Sequence, residues 1–294
     1  MSSFADAIKS GKFLVTAELN PPKGTDLSEL MKKAVLLRGW VDAFNLTDSA
    51  GANMTMAPIA AAAKMKDAGF EPLIQMTSRD RNRIAVQGDM LASAALGVTT
   101  IVLMGGDKPD AGDHPEAKGV FDLDTAALLK TATALNAGKD MMGNDLKGKT
   151  SFCIGATCNP GSSDVDKEVD RMKEKIEFGA TFFQTQAVYD IEGFDRFMEK
   201  AGRLDTPVIA GCIIIKSGTM ARWMNENLFG VDVPQNLIDE MDATEDKNAK
   251  AIEIGARLVS QLRKSAGGVH MMGIGWENRI PPILEAAGLE KSQS

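Results

Sequence analysis

The sequence contains few of the residues that mark secreted, metal-bound or membrane-spanning proteins. Among its 294 residues are three cysteines and two histidines, and Cys153, Cys158 and Cys212 show no C-x-x-C spacing. This pattern argues against a disulfide framework or a structural zinc site and suits a reducing compartment. No apolar run approaches the roughly 20 residues that cross a bilayer, and the N-terminal segment lacks the apolar region of a secretory signal. We therefore expect a cytoplasmic protein with no membrane segment.

The charge balance limits the class of partner. The formal net charge is −7 at pH 7, which argues against nucleic acid or an anionic membrane as the main partner. Hydrophobic residues make up 44% of the chain and charged residues 25%, a composition that supports a packed core. No linker rich in Pro, Ser or Gly divides the sequence, so we predict a single catalytic domain over residues 1–294.

Apolar strand-like runs alternate with helical segments along the whole chain. The predicted strands cover residues 13–19, 43–48, 72–77, 100–106, 151–157, 181–186, 208–215 and 268–274. The predicted helices cover residues 26–38, 55–68, 82–96, 122–136, 164–178, 190–201, 217–228, 245–264 and 277–287. This alternation predicts the α/β class and a (β/α)8 TIM barrel. A doubly wound parallel sheet is the alternative, but no G-x-G-x-x-G motif follows the first strand.

Polar side chains collect where the predicted strands end. In a (β/α)8 barrel the catalytic residues lie at these carboxyl ends, where the βα loops begin. The polar residues there include Glu18, Thr47, Asp48, Gln75, Thr77, Asp107, Gln184 and Gln186. Carboxylates and amides together can pair with the N–H and carbonyl edges of a flat heterocycle such as a pterin or a flavin. An organic cofactor would then supply the chemistry that these side chains lack.

Several of these residues also have a simple structural interpretation. Asp48 suits an Asx-turn, and Arg79 in S-R-D-R-N-R suits a charged loop with local ion pairs. Gln186 lies in an otherwise apolar strand, so we expect a buried amide that needs hydrogen-bond partners. His270 in G-V-H-M-M suits a hydrogen-bonded core histidine. Lys175 can serve an anionic cofactor tail, although most lysines on helices face solvent.

Motifs for other reaction classes are missing. Two distant histidines and no paired acid at ligand spacing argue against a catalytic metal. No G-x-S-x-G or Cys/His arrangement indicates a covalent nucleophile, and no P-loop indicates phosphoryl transfer from a nucleotide. The residues by themselves therefore predict an α/β-barrel enzyme that depends on an organic cofactor.

Six segments spread along the chain carry a further signal. They are TAELNPP (16–22), QMTSRDRNRIAVQ (75–87), ALGVTTIVLMGGDKPDAGDHPEAKGVFD (95–122), IGATCNP (154–160), FGATFFQTQAVYD (178–190) and GVHMM (268–272). In this order they resemble the methylenetetrahydrofolate reductase family, flavin-dependent barrels of one-carbon metabolism, in its short single-domain form. The resemblance implies a (β/α)8 barrel, in agreement with the strand count.

The resemblance also implies roles for individual residues. Glu18 matches the family's general acid, which acts while the methylene bridge of the folate opens. Asp107 matches an aspartate that lies near the flavin and contacts the pterin, and Gln186 matches a glutamine that hydrogen-bonds the folate. The positions implied to bind cofactor are Thr47, Asp48, Gln75, Thr77, Arg79, Asp107, Phe121, Ala156 and Lys175.

The implied function is reduction of 5,10-methylenetetrahydrofolate to 5-methyltetrahydrofolate by hydride transfer from a reduced flavin. FAD is favoured over FMN, and NADH, NADPH or a protein can be the electron donor. A homo-oligomer or an electron-transfer partner subunit is compatible with the sequence. Two alternatives stay open: a flavin-free pterin-binding barrel that transfers a one-carbon group, and a non-catalytic subunit that binds folate or flavin within a complex.

Overall fold

The computed structural model describes residues 3–228 and 230–292, and eight parallel strands form a closed barrel at its centre. In chain order the strands are β1 (Leu14–Leu19), β2 (Ala43–Leu46), β3 (Pro72–Thr77), β4 (Thr100–Met104), β5 (Cys153–Cys158), β6 (Phe182–Ala187), β7 (Val208–Ile213) and β8 (Gly268–Met272). Each strand pairs with the next in sequence, and β8 closes the barrel on β1, with His270 beside Thr16. The predicted (β/α)8 TIM barrel is confirmed.

Helices connect the strands and surround the barrel. They are α1 (Phe4–Lys9), α2 (Ser28–Leu37), α3 (Pro58–Asp67), α4 (Arg83–Ala95), α5 (Thr125–Asn136), α6 (Val165–Glu177), α7 (Ile191–Ala201), α8 (Gly218–Asn227), α9 (Gln235–Ala243), α10 (Lys247–Leu262) and α11 (Ile280–Ala286). All the predicted helices are present, with ends that differ by a few residues. The sequence pattern does not predict α1 or α9, and α1, with six residues, is too short to show an amphipathic period.

Side chains from alternate strand positions fill the barrel interior. At the amino ends of the strands this interior is apolar, and α1 covers it with Phe4 and Ala7. The resulting bottom cluster consists of Phe4, Ala7, Leu14, Ala43, Leu73, Val102, Phe182 and Ile209. The opposite side chains of the strands, such as Ala17 and Ile74, pack against the surrounding helices. Among the described residues, the bottom of the barrel is therefore closed by this cluster, and the interior opens towards the βα loops.

A polar layer lies above the bottom cluster, one step further along the strands. It contains Thr16, Asn45, Gln184 and His270, and all four side chains are buried. Gly211 of β7 lies beside His270 in the strand register and adds no side chain to the layer. Because buried polar groups need hydrogen-bond partners, these residues have to satisfy one another. The layer forms the floor of the open end of the barrel.

Removal of the Phe4 ring is expected to destabilise the whole barrel. The ring is fully buried and packs edge-on against Phe182, with the ring centroids 5.5 Å apart. Truncation of a buried Phe to Ala costs roughly 3–5 kcal/mol, so Phe4→Ala should lower the free energy of unfolding in urea by that amount. Val35→Ala, at a side chain that is 59% exposed, should change it by less than about 0.5 kcal/mol. Equal losses in the two variants would show that α1 does not belong to the core.

Candidate functional site

A cavity of about 430 Å³ opens at the carboxyl ends of the strands. Its volume lies within the range of roughly 300–1,000 Å³ that is usual for small-molecule sites. Most of the residues that the sequence singles out line this cavity together. They are Glu18, Asp48, Gln75, Thr77, Arg79, Asp107, Lys175 and Gln186.

Glu18 projects from β1 into the cavity wall above the polar layer. Its Oε2 atom lies 3.6 Å from Nε2 of His270, and the Glu18 side chain is 19% exposed. On the other side of the imidazole ring, Nδ1 lies 2.9 Å from Oγ1 of Thr16. His270 is thus the hydrogen-bonded core histidine that the sequence indicates, and it also contacts the candidate acid.

Two amides below Glu18 form a pair that sequence analysis misses. Nδ2 of Asn45 donates to Oε1 of Gln184 at 3.1 Å and lies 3.3 Å from Nε2 of His270. The remaining amide atoms, Oδ1 of Asn45 and Nε2 of Gln184, are buried and have no hydrogen-bond partner among the described residues. Each unpaired buried polar atom costs free energy, so the two amides make the floor less stable than a fully hydrogen-bonded pair would.

The expectation of a buried amide at Gln186 is wrong. Gln186 is exposed at the rim, and Gln184 is the buried amide of β6. The register between β6 and β7 shifts here, because Gln184 pairs with Ile209 and Ala187 pairs with Gly211. One extra residue is inserted in β6, as in a β-bulge. The irregularity places Gln186 at the mouth of the cavity, where a ligand can reach its amide.

Asp48 does not form the simple Asx-turn that its sequence context suggests. Its carboxylate is buried and lies 2.6 Å from Nη1 of Arg81, which belongs to the loop after β3. The same carboxylate accepts hydrogen bonds from the backbone N–H and the hydroxyl of Thr77, at 2.8 and 2.9 Å. Burial by itself lowers the pKa of Arg81, but the charges of Asp48 and Asp89 outweigh it and raise the pKa above its usual value. Asp48 and Thr77 therefore shape the cavity wall through contacts within the protein.

Arg79 has a similar structural role. Its side chain is buried and forms the expected local ion pair with Asp80, at 2.7 Å. That hydrogen-bonded carboxylate raises the pKa of the Arg79 guanidinium. The guanidinium also donates to the backbone carbonyls of Ser49 and Asp48, at 3.1 and 3.3 Å. Arg79 thus connects the loop after β3 to the loop after β2.

Asp107 lies in the loop after β4 and is exposed at the rim of the cavity. Its Oδ2 atom accepts a hydrogen bond from the backbone N–H of Gly51, at 3.1 Å. Gly106 before it has φ 90°, and a Cβ atom there would lie 3.0 Å from the Thr77 side chain. Glycine is therefore required at position 106, where it carries the chain close to β3 and leaves Asp107 facing the opening.

Lys175 of α6 supplies a positive charge to the cavity wall. Its Nζ atom donates to the carbonyl of Thr157 at 2.7 Å. Burial lowers the pKa of Lys175, and the charge of nearby Glu168 partly opposes that shift. Glu168, which sequence analysis misses, is buried and accepts a hydrogen bond from the backbone N–H of Asn159 at 3.0 Å. The cavity thus has acidic groups on several sides and a partly desolvated cation near β5.

The structure places three of the implied cofactor residues away from the cavity lining. The Ala156 side chain packs in the core between the strands and the helices. Thr47 is buried, and its hydroxyl donates to Oδ1 of Asn20 at 2.8 Å. Phe121 is 41% exposed, and its backbone N–H donates to the Ser78 carbonyl at 3.1 Å. The side chains of Gln75 and Lys175, in contrast, line the cavity.

Within residues 3–228 and 230–292, no three His, Cys, Asp or Glu side chains are arranged to hold a metal ion. No helix in these two ranges is long and apolar enough to cross a membrane. Cys158 lines the cavity, but burial raises the pKa of its thiol far above the usual value. The thiol therefore stays protonated at neutral pH and is a poor nucleophile.

Thiol labelling should show the same inertness. Cys158 and Cys212 are buried, and burial raises the pKa of Cys212 to about 12. At pH 8 both groups are almost fully protonated, because a raised pKa extends the neutral form to higher pH. We expect a thiol reagent to label neither residue in the folded protein and all three cysteines in denaturant. Rapid native labelling of Cys158, read by peptide mass spectrometry, would contradict this assignment.

Comparisons with protein families and curated proteins find relatives along most of the chain. A family model described as "Methylenetetrahydrofolate reductase" matches residues 3–288. "Methylenetetrahydrofolate reductase 1" of Schizosaccharomyces pombe is 27% identical over 153 residues, which are 47% of this chain and 24% of the relative. "Methylenetetrahydrofolate reductase 2" of the same yeast is 22% identical over 97% of this chain and 47% of the relative. The chain therefore spans less than half the length of these relatives.

Solved structures share the architecture at lower identity. One is an uncharacterized protein from Clostridium thermocellum that is described as binding two copies of 5-methyl-5,6,7,8-tetrahydrofolic acid. Its TM-score is 0.61 at 14% identity, with 96% of this chain and 98% of that chain covered. Tryptophan synthase from M. tuberculosis has a TM-score of 0.53 at 12% identity, with 98% and 100% covered. At these identities the likeness shows the fold alone.

Proposed function

Because the chain belongs to the methylenetetrahydrofolate reductase family, we propose that it reduces 5,10-methylenetetrahydrofolate to 5-methyltetrahydrofolate in the cavity at the carboxyl ends of the strands. The observation that carries the proposal is the meeting of Glu18, Asp107 and Gln186 in this cavity. They come from β1, from the loop after β4 and from β6. The fold thus gives one ligand a candidate acid, a second carboxylate and an amide.

Glu18 would hold the proton that opening of the methylene bridge requires. Its carboxyl group lies in the cavity wall, mostly shielded from solvent, within reach of both His270 and a ligand. A positioned acid of this kind contributes typically about 10²–10⁴-fold to rate. The shielding also keeps bulk water from competing for the proton.

Asp107 and Gln186 would orient the pterin from the rim. A carboxylate has two oxygens with about four acceptor sites, so the single bond from Gly51 leaves Asp107 free to accept from ring N–H groups. The exposed amide of Gln186 offers both a donor and an acceptor at the mouth of the cavity. A pterin edge presents the complementary set, so the two side chains can fix its position relative to Glu18.

The donor set of the cavity also fits a flavin. Lys175 offers a positive charge for a phosphate tail, and Gln75 offers an amide for a ring edge. Glycine at position 106 lets the loop after β4 lie close to Thr77, so that Asp107 faces the opening of the cavity. A flavin bound there would supply the hydride, while Gln75, Asp107 and Lys175 would hold it in place. We propose FAD as the flavin, reduced by NADH, by NADPH or by an electron-transfer partner subunit.

The proposal is tested by an anaerobic visible spectrum of the purified protein. The protein is reconstituted with FAD or FMN, photoreduced, and mixed with 5,10-methylenetetrahydrofolate. Return of the oxidised flavin spectrum together with formation of 5-methyltetrahydrofolate is the expected result. Tetrahydrofolate, which lacks the methylene bridge, is the matched control and should leave the flavin reduced.

Other outcomes of the spectrum favour the alternatives. A protein that binds 5-methyltetrahydrofolate but no flavin would favour the flavin-free one-carbon transfer reaction. A protein that binds both ligands but transfers no hydride would favour a non-catalytic subunit. The Clostridium thermocellum structure, described as a complex with a methylated folate, makes this folate the first ligand to test by calorimetry.

A further inference from the structure

We propose that Glu18 shares its proton with Nε2 of His270, which acts as a positioning residue. The Asn45–Gln184 amide pair acts as a switch that reverses when His270 gains or loses that proton. This inference deepens the proposed function and rests on it for the role of Glu18. It is carried by three contacts of the imidazole: Thr16 at Nδ1, and Asn45 and Glu18 at Nε2.

Nε2 of His270 faces one group that donates hydrogen bonds and one that accepts them. Nδ2 of Asn45 carries only hydrogens to donate, whereas the Glu18 carboxylate only accepts. An unprotonated Nε2 accepts from Asn45 but repels an ionised Glu18. A protonated Nε2 attracts the Glu18 carboxylate but opposes the N–H of Asn45. One of the two contacts is therefore unfavourable unless Glu18 carries a proton or the Asn45 amide turns round.

The amide pair can turn round without loss of its own hydrogen bond. In the present arrangement Nδ2 of Asn45 donates to Oε1 of Gln184, and the other amide atoms have no partner among the described residues. If both amides rotate by half a turn, Nε2 of Gln184 donates to Oδ1 of Asn45 instead. The number of unpaired atoms is the same, since Nδ2 and Oε1 become the unpaired ones. What changes is that His270 now meets an acceptor.

The proton then has two matched positions. In the first, Glu18 is protonated, Nε2 of His270 is bare, and Asn45 donates to it. In the second, the O–H bond of Glu18 has broken and an N–H bond has formed at Nε2, which leaves a carboxylate, an imidazolium and the reversed amide pair. The 3.6 Å between Oε2 and Nε2 is too long for a hydrogen bond, so a small rotation of Glu18 either closes this contact or turns the acid towards a ligand.

No other acid competes for this proton. Among the described residues, Glu18 is the only acidic side chain within 4 Å of the imidazole. Thr16 on β1 and Gly211 on β7 flank His270 in the strand register, and neither of these two residues carries a charge. Asp48 lines the same cavity but is held by Arg81. The charged groups Arg79, Asp107, Glu168 and Lys175 also line the cavity, with partners of their own.

The test uses the small number of histidines in the chain. The sequence has two, His114 and His270, so a ¹⁵N–¹H correlation spectrum of the imidazoles contains signals from two residues, and His114→Gln assigns them. In the ligand-free protein we expect neutral His270 to carry its hydrogen on Nδ1, and to gain one on Nε2 as the pH falls. In Glu18→Gln, which removes the carboxylate 3.6 Å from Nε2, this hydrogen should be gained at a lower pH than in the natural chain. Asp107→Asn, which removes a different carboxylate from the cavity, is the matched control and should not move it.

The switch has its own readout. The side-chain amide signals of Asn45 and Gln184, assigned with Asn45→Ser and Gln184→Met, should change at the same pH as the His270 signals. Amide signals that stay constant while His270 titrates, or a His270 titration unaffected by Glu18→Gln, would overturn the inference. These spectra need neither flavin nor folate turnover. A coupled titration in a protein without reductase activity would therefore count against the proposed function and not against this proton-holding unit.

Discussion

Glu18→Gln is expected to lower the rate of folate reduction by about 10²–10⁴-fold while the protein keeps its ligands. The substitution preserves the shape of the side chain and removes its acidic proton. The acid projects from β1 into the cavity wall, so its loss changes the chemistry more than the packing. The measurement is the single-turnover rate at which 5,10-methylenetetrahydrofolate reoxidises the reduced flavin. Affinities for flavin and for 5-methyltetrahydrofolate, measured on the same preparation, should change by less than about threefold, under 1 kcal/mol.

A matched control for this experiment lies on the outer surface. Glu29→Gln makes the same chemical change on α2, where the side chain is 76% exposed and its partner is the exposed Lys32. It should leave both the rate and the affinities unchanged. A Glu18→Gln enzyme as fast as Glu29→Gln would remove Glu18 from the mechanism and leave Asp107 as the next candidate for the acid.

The second large effect concerns stability. Asp48→Asn should lower the free energy of unfolding by about 3–5 kcal/mol, the usual cost when one partner of a buried ion pair is removed. Both side chains are largely shielded, with Arg81 12% exposed and Asp48 5% exposed. The amide introduced by the substitution can still accept from Thr77. Among the described residues, the one remaining acidic partner of Arg81 would then be Asp89, whose side chain is 39% exposed. The loss is measured by urea unfolding, and the same m-value, that of the natural chain, is used for both proteins.

A double-mutant cycle separates the ion pair from its surroundings. If the pair is the cause, Asp48→Asn combined with Arg81→Met should lose clearly less stability than the sum of the two single losses. The exposed pair of Glu29 and Lys32 is the control, since such surface pairs contribute about 0–1 kcal/mol. Strict additivity at Asp48 and Arg81 would show that the two side chains do not stabilise each other.

The sequence predicts the barrel well because its signals are local. Each strand is a short apolar run that ends near Gly, Pro or a polar residue, and several of the predicted helices show start or stop signals nearby. The second strand is shorter than predicted, because Thr47 and Asp48 already belong to the rim loop after Leu46. Helix α1 also has a local start signal, because Ser3 caps it and forms a capping box with Asp6, but its six residues are too few to show an amphipathic period. Its position depends on Phe4 filling the bottom of a barrel whose other residues lie far along the chain.

The site is only partly predictable, since its contacts join distant residues. Strand-end positions identify Glu18 and Asp107, because the fold sends every carboxyl end to one rim. Nothing local couples Asp48 to Arg81, or His270 to Thr16 and Asn45, which lie more than 200 residues away. Gln184 and Gln186 look equivalent by alternation. Their depth in the barrel and the extra residue in β6 decide which of them is buried, and a pattern of period two cannot show that.

Because the bottom cluster closes one end of the barrel, ligands can enter the described cavity from the carboxyl ends of the strands. With Phe4 packed against Phe182 beneath the polar floor, a molecule that enters the cavity leaves by the way it came. In the proposed reaction, the electron donor and the folate would both reach the cofactor through this entrance, so each would hinder the other while it is bound. If so, the proposed reaction would give parallel lines in double-reciprocal plots of the steady-state rates, and an excess of either substrate would inhibit it. Helix α1, at the base of the barrel, would thus affect the order in which ligands bind at the opposite end.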